Sequence, residues 1–393
     1  MCVSCRRKFI QCVAATFVVV FAVLLLWLVH GQTVFADEVD DAEKALWEEV
    51  ESGLSAIDFS DFDSVGFDFV GGTLSKIKQI ISGEYDSAEA FWQYLLNSFA
   101  GELSKVLPTI LVIFAIIVVA GLSRKTGKTV LASGTNNAVS FVASVLIAVH
   151  IASVVIVVYK NTYAVIYQIK ALCDAFSPIA ITLLVAIGAN ATSTACSPAL
   201  TMYSSLVISV ICNVILPASV FALIFAVAAN FSSDVKVEKT SKFCAGFCGW
   251  SLGLIFMIFS AFATVQGVAA AKTDGVSIRL AKFATKSYVP IVGGYFVEGF
   301  DMVMASSSLI KNAFGVLALI VIVGLIVKPI VYLLTMKLGF SALSAFCEPF
   351  ADEKQIKLLD QVCGCLTLPV AILAAVAFMF AVVVWIVMSC NPF

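Results

Sequence analysis

The chain has 393 residues, of which 61% are hydrophobic and only 13% charged, with a formal net charge of −2. A soluble fold of this length carries about a quarter charged residues, so that class is excluded and an all-α, polytopic integral membrane protein is expected. The basic residues sit at the ends of apolar runs, with no patch interleaved with aromatics, which argues for membrane lipid and against nucleic acid as the surroundings of this chain.

In chain order, Arg6, Arg7 and Lys8 precede an apolar run, and Val34 and Ala36 place small residues where a signal sequence is cut. Residues 1–36 therefore read as a signal peptide cleaved after Ala36, with an uncleaved anchor as the other reading. Both readings export the chain from Asp37 onward. Residues 37–105 hold 16 carboxylates against four basic side chains, an acidic extracytoplasmic segment. Within it, DFSDFDSVGFDFVGG alternates phenylalanine with aspartate, either as a loop with hydrophobic anchors or as a docking strip. Residues 84–105 have the apolar spacing of an amphipathic interfacial helix.

Residues 106–393 form a multi-span membrane domain. Clear spans are expected near 106–122, 138–158, 199–229, 249–271, 313–337 and 367–388. Two shorter apolar segments, 178–200 and 290–312, bring the total to about 6–8. Arg124, Lys125 and Lys128 follow the first span, as cytoplasmic charges do. The stretch GLSRKTGKT beside them has one residue too many for a phosphate-binding loop and follows a membrane helix instead of a strand. His150 lies inside a span as a hydrogen-bonded interior residue, with a proton-relay role as the alternative. Pro217 and Pro329 each remove a backbone donor and should kink their spans. The 12 cysteines include Cys244/Cys248 and Cys363/Cys365, but no histidine completes a zinc site, so no metal or cofactor is expected and small buried hydrophobes are.

A shift of 112 residues superimposes Pro178 on Pro290 and Pro217 on Pro329, and Ile166 and Lys170 on Ile278 and Lys282. This is the signature of a candidate internal repeat, with units at about 138–229 and 250–341. Paired, interrupted apolar segments point to a binding or conduction site in repeat-built membrane proteins. If both short segments cross, the halves are inverted and Lys/Arg number 10 inside against five outside; if neither crosses, they are parallel with nine against six. The count favours the inverted arrangement by a small margin. Lys272, Arg279, Lys282 and Lys286 then share one face of an interfacial helix on the cytoplasmic leaflet, facing anionic lipid or an acidic partner.

The stretch YVPIVGGYFVEGFDMVMASSSLIKNAFG, residues 288–315, raises the sharpest question. Glu298 or Asp301 against lipid at the bilayer centre would cost about 2.5–3.5 kcal/mol. Their shared helical face must look at water or protein. Pro290, Gly293, Gly294, Glu298, Asp301, Ser306, Lys311 and Asn312 are therefore the candidate cavity- or conduction-lining residues of a discontinuous element. An ordinary amphipathic interfacial helix is the alternative.

The stretch from Asp274 to Val316, DGVSIRLAKFATKSYVPIVGGYFVEGFDMVMASSSLIKNAFGV, resembles the signature region of the stage III sporulation protein AE family. The likeness extends to the signal, the acidic segment and the order of spans; the high cysteine content and the 37–80 region depart from it. The resemblance implies a multi-pass protein of the mother-cell membrane around the forespore. It implies a place in a channel or secretion-like complex needed for endospore development. Its partners there would be other SpoIIIA-type membrane proteins, a secretion-type ATPase and a SpoIIQ-type forespore protein. It carries over no catalytic residue. Two other functions stay open from the residues themselves. One is a stand-alone secondary transporter using intramembrane carboxylates. The other is an intramembrane enzyme, for which neither an H-E-x-x-H nor a G-x-S-x-G pattern is present.

Overall fold

A computed structural model describes residues 87–130, 133–230, 237–288 and 292–389. The signal sequence with its Ala36 site, most of the acidic segment, and Pro290 lie outside the described residues. Among those described, every regular element is a helix. They are α1 (Ser87–Val130), α2 (Ser133–Ala186), α3 (Asn190–Thr201), α4 (Leu216–Ala228), α5 (Glu238–Tyr288), α6 (Val292–Cys347), α7 (Glu353–Cys365) and α8 (Thr367–Ser389). Two π-helical stretches, Met202–Val207 and Ile211–Ile215, join α3 and α4 into one rod. Six rods are long and apolar enough to cross a membrane, at the low end of the expected range.

The rods run further than the hydropathy pattern indicates. The amphipathic segment before the first span is continuous with it, because α1 passes from Ser87 through Pro108 to Val130 without a break. Likewise α2 passes through Pro178 and α6 through Pro329. Pro217 is accommodated differently. It opens α4 directly after the π stretch Ile211–Ile215, where the wider turn absorbs the carbonyl that the proline ring would strike and cannot hydrogen-bond.

Polar contacts fix the course of the rods. At one face, here the lower, the Ser140 hydroxyl bonds Asp352 and Phe350 lies against Gly121. Asn230 donates to Gln361 at 2.6 Å, Lys357 pairs with Glu238 at 3.4 Å, and Ser344 donates to Asp360 at 2.9 Å. From there α5 runs antiparallel to the α3–α4 rod. Ser241 bonds the Ala222 carbonyl, Cys248 that of Ile215, and Asp274 reaches the amides of Ala191 and Thr192. The chain thus runs up and down six times. The end of α1, the start of α2, the end of α4, the start of α5, the end of α6 and the start of α7 share the lower face, and the end of α2, the start of α3, the end of α5 and the start of α6 share the upper.

This corrects the orientation inferred from charge counting. The two hairpins, α2 with the α3–α4 rod and α5 with α6, run in the same sense, the arrangement with nine basic residues against six. Lys272, Arg279, Lys282 and Lys286 therefore lie on a rod that has reached the face opposite Arg124, Lys125 and Lys128. The margin between the two counts was a few charges, too small to outweigh helix packing.

At mid-height the rods meet around an aromatic cluster. Phe176 stacks on Phe314 at 5.2 Å and meets Phe380 edge-on at 5.7 Å. Tyr203 packs on Phe259 and Phe380 and donates its hydroxyl to the Val376 carbonyl at 2.8 Å. These rings are fully buried and tie four helices and the π segment together. Tyr203 satisfies its polar tip by a carbonyl instead of water, as a buried tyrosine must. Outward, α1, α2 and α5 expose Leu107, Leu111, Val149, Ile156, Trp250 and Met257, the surface a lipid-facing rod requires. His150 departs from expectation: its Nε2 is buried without a partner among the described residues. Six cysteines, Cys173, Cys196, Cys212, Cys248, Cys347 and Cys365, are buried free thiols. No group of three or more His, Cys, Asp or Glu side chains that could hold a metal occurs among the described residues.

Candidate functional site

The stretch singled out in the sequence is a helical hairpin. Its legs are the last turns of α5 and the first of α6. The second leg is one uninterrupted helix from Val292 onward, which corrects the expectation of a discontinuous element; the serine run does not loosen it. Ser306 returns its hydroxyl to the Met302 carbonyl at 3.0 Å, a bond within the helix.

Two buried charges root the hairpin, one on each leg. On the first leg, Asp274 is 4% exposed and accepts the Ala191 amide on Oδ1 and the Thr192 amide on Oδ2, both at 2.8 Å. The residue at the N-cap of α3 is Ala189, which has no capping side chain. Asp274 supplies the missing cap from another helix, taking the two amides a local Ser or Asp would take. Its charge also meets the positive end of the helix dipole. Just before this point α2 ends in a Schellman motif. The Ala189 amide bonds the Leu184 carbonyl and the Gly188 amide that of Val185, both at 2.9 Å, with Gly188 at φ +73°, where only glycine is unstrained. One turn beyond Asp274, Ile278 fills the space against Gly188, so that a Cβ there would stand 3.2 Å from its Cδ1.

On the second leg, Lys311 is 1% exposed and its ammonium donates to the Met388 carbonyl at 3.3 Å. Met388 is in the last turn of α8, whose final carbonyls have no intrahelical donor and carry the negative end of the dipole. The approach is close because residue 315 is glycine: a Cβ there would overlap the Met388 side chain. A buried charge is costly unless paired and hydrogen-bonded. Asp274 and Lys311 each meet that condition at a helix end of opposite sign.

Above these roots Met304, Ser306 and Ile310 are still buried, and most apolar side chains nearer the tip are exposed. Met388 at the end of α8 is level with Lys311, so Val292–Ile310 project beyond α8 by roughly 28 Å in one unbroken helix. A helix the length of α5 or α6 would measure roughly 75–85 Å, far more than the ~30 Å hydrocarbon core. Asp301 pairs with Lys282 of the other leg, with side chains 44% and 22% exposed. Lys282 therefore faces α6, which corrects its expected place on one lipid-facing surface with Arg279 and Lys286; those two are exposed. Glu298 and Gly299 are exposed, and Gly294 and Asn312 half-exposed. Around Gly294 and Gly299 no described residue comes within 4 Å of a Cβ position. Gly293 lies in the first turn of α6.

The apolar side chains of the hairpin are strongly exposed: Tyr295 at 75%, Phe283 at 71% and Phe296 at 69%, with Val276, Leu280 and Phe300 beside them. This is a large exposed apolar patch on a segment that extends past the end of α8. Sequence reasoning found Lys311, Asp301 and the glycines but missed Asp274, Gly188 and Gly315. Gly188 had a legible signal, a glycine ending an apolar helical run. Asp274 had none, because its partners lie more than 80 positions away.

The sequence pattern of the family described as Stage III sporulation protein AE matches residues 74–391. A curated relative, Stage III sporulation protein AE of Bacillus subtilis (strain 168), is 27% identical over 168 residues, 43% of this chain and 42% of the relative. The match thus spans less than half the length of that relative. No solved structure matches.

Proposed function

Because the chain belongs to the stage III sporulation protein AE family, a role in sporulation follows, and we propose that it is a membrane subunit of the channel or secretion-like assembly joining mother cell and forespore. The observation that carries the proposal is the hairpin. It is rooted by Asp274 and Lys311, extends past the end of α8, and presents Phe283, Tyr295, Phe296 and Phe300 without a covering element among the described residues. Its side of the membrane is the side from which α1 starts, and hence the side of the acidic exported segment. With the lower face in the cytoplasm, as Arg124, Lys125 and Lys128 direct, both lie in the space between the two membranes. A partner helix there seats against Gly294 and Gly299, whose missing side chains permit close approach, and Glu298 and Asn312 face that partner or the path it encloses.

A stand-alone transporter draws less support. Its premise was a pair of carboxylates at the bilayer centre, whereas Asp301 is ion-paired and Glu298 exposed on the projecting hairpin. The test is purification from sporulating cells of the wild-type chain and of a Phe283→Ser, Tyr295→Ser, Phe296→Ser variant. The expected result is that the wild type brings other membrane subunits and the secretion-type ATPase, and that the variant reaches normal membrane levels without them. A wild type that purifies alone, or a variant that assembles and sporulates normally, overturns the proposal.

A further inference from the structure

On the lower half of the bundle, α1 and α2 diverge to leave a groove of about 540 Å³ between them. Its walls are Ile116, Val119, Val142 and Leu146, and its floor is opened by the small side chains of Ala120 and Ala143. Ser123, at its lower end, is the one hydroxyl in an otherwise aliphatic lining. From Ala115 to Ser123 the groove runs roughly 12 Å along the helix, most of the depth of one leaflet of a ~30 Å core. The volume falls within the ~300–1,000 Å³ typical of ligand sites.

The sequence that follows the groove's lower end distinguishes it from ordinary lipid-facing surface. Immediately past Ser123, the last turns of α1 carry Arg124, Lys125 and Lys128, and residues 123–137 contain no carboxylate. The nearby carboxylate across the bundle, Asp352, is engaged by the Ser140 hydroxyl and by the capping box of α7. An apolar slot about one leaflet deep, followed directly in the sequence by three basic residues and no carboxylate, has the chemistry of an anionic phospholipid: acyl chain in the slot, phosphate toward the basic stretch. We infer that the α1–α2 groove is a specific site for an anionic phospholipid of the lower leaflet. The lipid fills the contact that α1 and α2 do not make there and holds the α1–α2 hairpin, independently of the aromatic hairpin on the opposite face.

The full chain, reconstituted in nanodiscs containing equal parts of phosphatidylglycerol and phosphatidylcholine, then extracted and delipidated, tests this by native mass spectrometry of retained lipid. The wild type is expected to retain phosphatidylglycerol over phosphatidylcholine by tenfold or more. Each of Arg124→Gln, Lys125→Gln and Lys128→Gln should lower that preference by up to roughly fivefold. Ala143→Phe should abolish retention of both lipids, whereas Leu111→Phe, on exposed surface outside the groove, should leave retention unchanged. A photo-crosslinker at Val119 reports the occupant directly if Ala143→Phe does not fold. Equal retention of the two lipids by the wild type overturns the inference. So does crosslinking of Val119 in cell membranes to another membrane protein instead of lipid.

Discussion

The two upper junctions of the molecule begin from the same local instruction and end differently. A 112-residue shift places Pro178 on Pro290, yet α2 runs straight through Pro178 and breaks only at Gly188. In the second half α5 ends at Tyr288 and α6 begins at Val292. What holds the first helix is the packing around Pro178. Phe176, two residues before Pro178, is locked between Phe314 and Phe380, and packing on both sides holds the helix through a residue that would otherwise end it. The break then falls where glycine can take positive φ and where a buried carboxylate from another rod can cap the next helix. In the second half the two legs, α5 and α6, are braced by the partly exposed Asp301–Lys282 pair. A proline states where a helix is weak; tertiary contacts decide where it breaks.

Four substitutions grade this contrast, each read as apparent unfolding temperature and denaturant midpoint of the purified chain in detergent. Asp274→Ala should cost most, about 2–4 kcal/mol, because it leaves two buried amides without acceptors and the α3 dipole uncompensated. Asp274→Asn should recover part of that loss, since its amide oxygen still accepts one bond. If Asp274→Ala is as stable as wild type, the first junction is not held by this cap. Gly188→Val should cost about 1–3 kcal/mol from positive φ and the overlap with Ile278; an unchanged midpoint would show that α2 ends elsewhere. Lys311→Met should cost about 1 kcal/mol or less, because an apolar chain of similar length replaces a buried charge at little net cost. Its larger effect should be on co-purification of partners, through the setting of the second leg. Asp301→Asn should cost the least, about 0–1 kcal/mol, as partly exposed ion pairs do. A loss as large as that of Asp274→Ala would mean that the two junctions are braced alike.

Much of the architecture was legible because membrane insertion is governed by local composition. Apolar runs of span length announce crossing helices wherever they pack. The six spans, the basic turn after Ser123 and the unusual chemistry of residues 288–315 follow from that rule, and the family resemblance rests on the same hairpin that extends past the end of α8. Orientation of the halves was not legible. It depended on a difference of a few charges, whereas Asn230 on Gln361 and Asp274 on α3 depend on neighbours brought together by packing.

The sequence by itself determined that this is an all-helical membrane protein of about 6–8 spans and that Glu298, Asp301 and Lys311 need an explanation, because the cost of a charge in hydrocarbon is a property of the residue. Only the tertiary structure decided what the explanation is. Asp301 found Lys282, Lys311 found the open end of α8, and Asp274 found the bare start of α3. The Lys311 and Asp274 pairings join groups far apart in the chain, and low dielectric makes them strong only after the helices have come together.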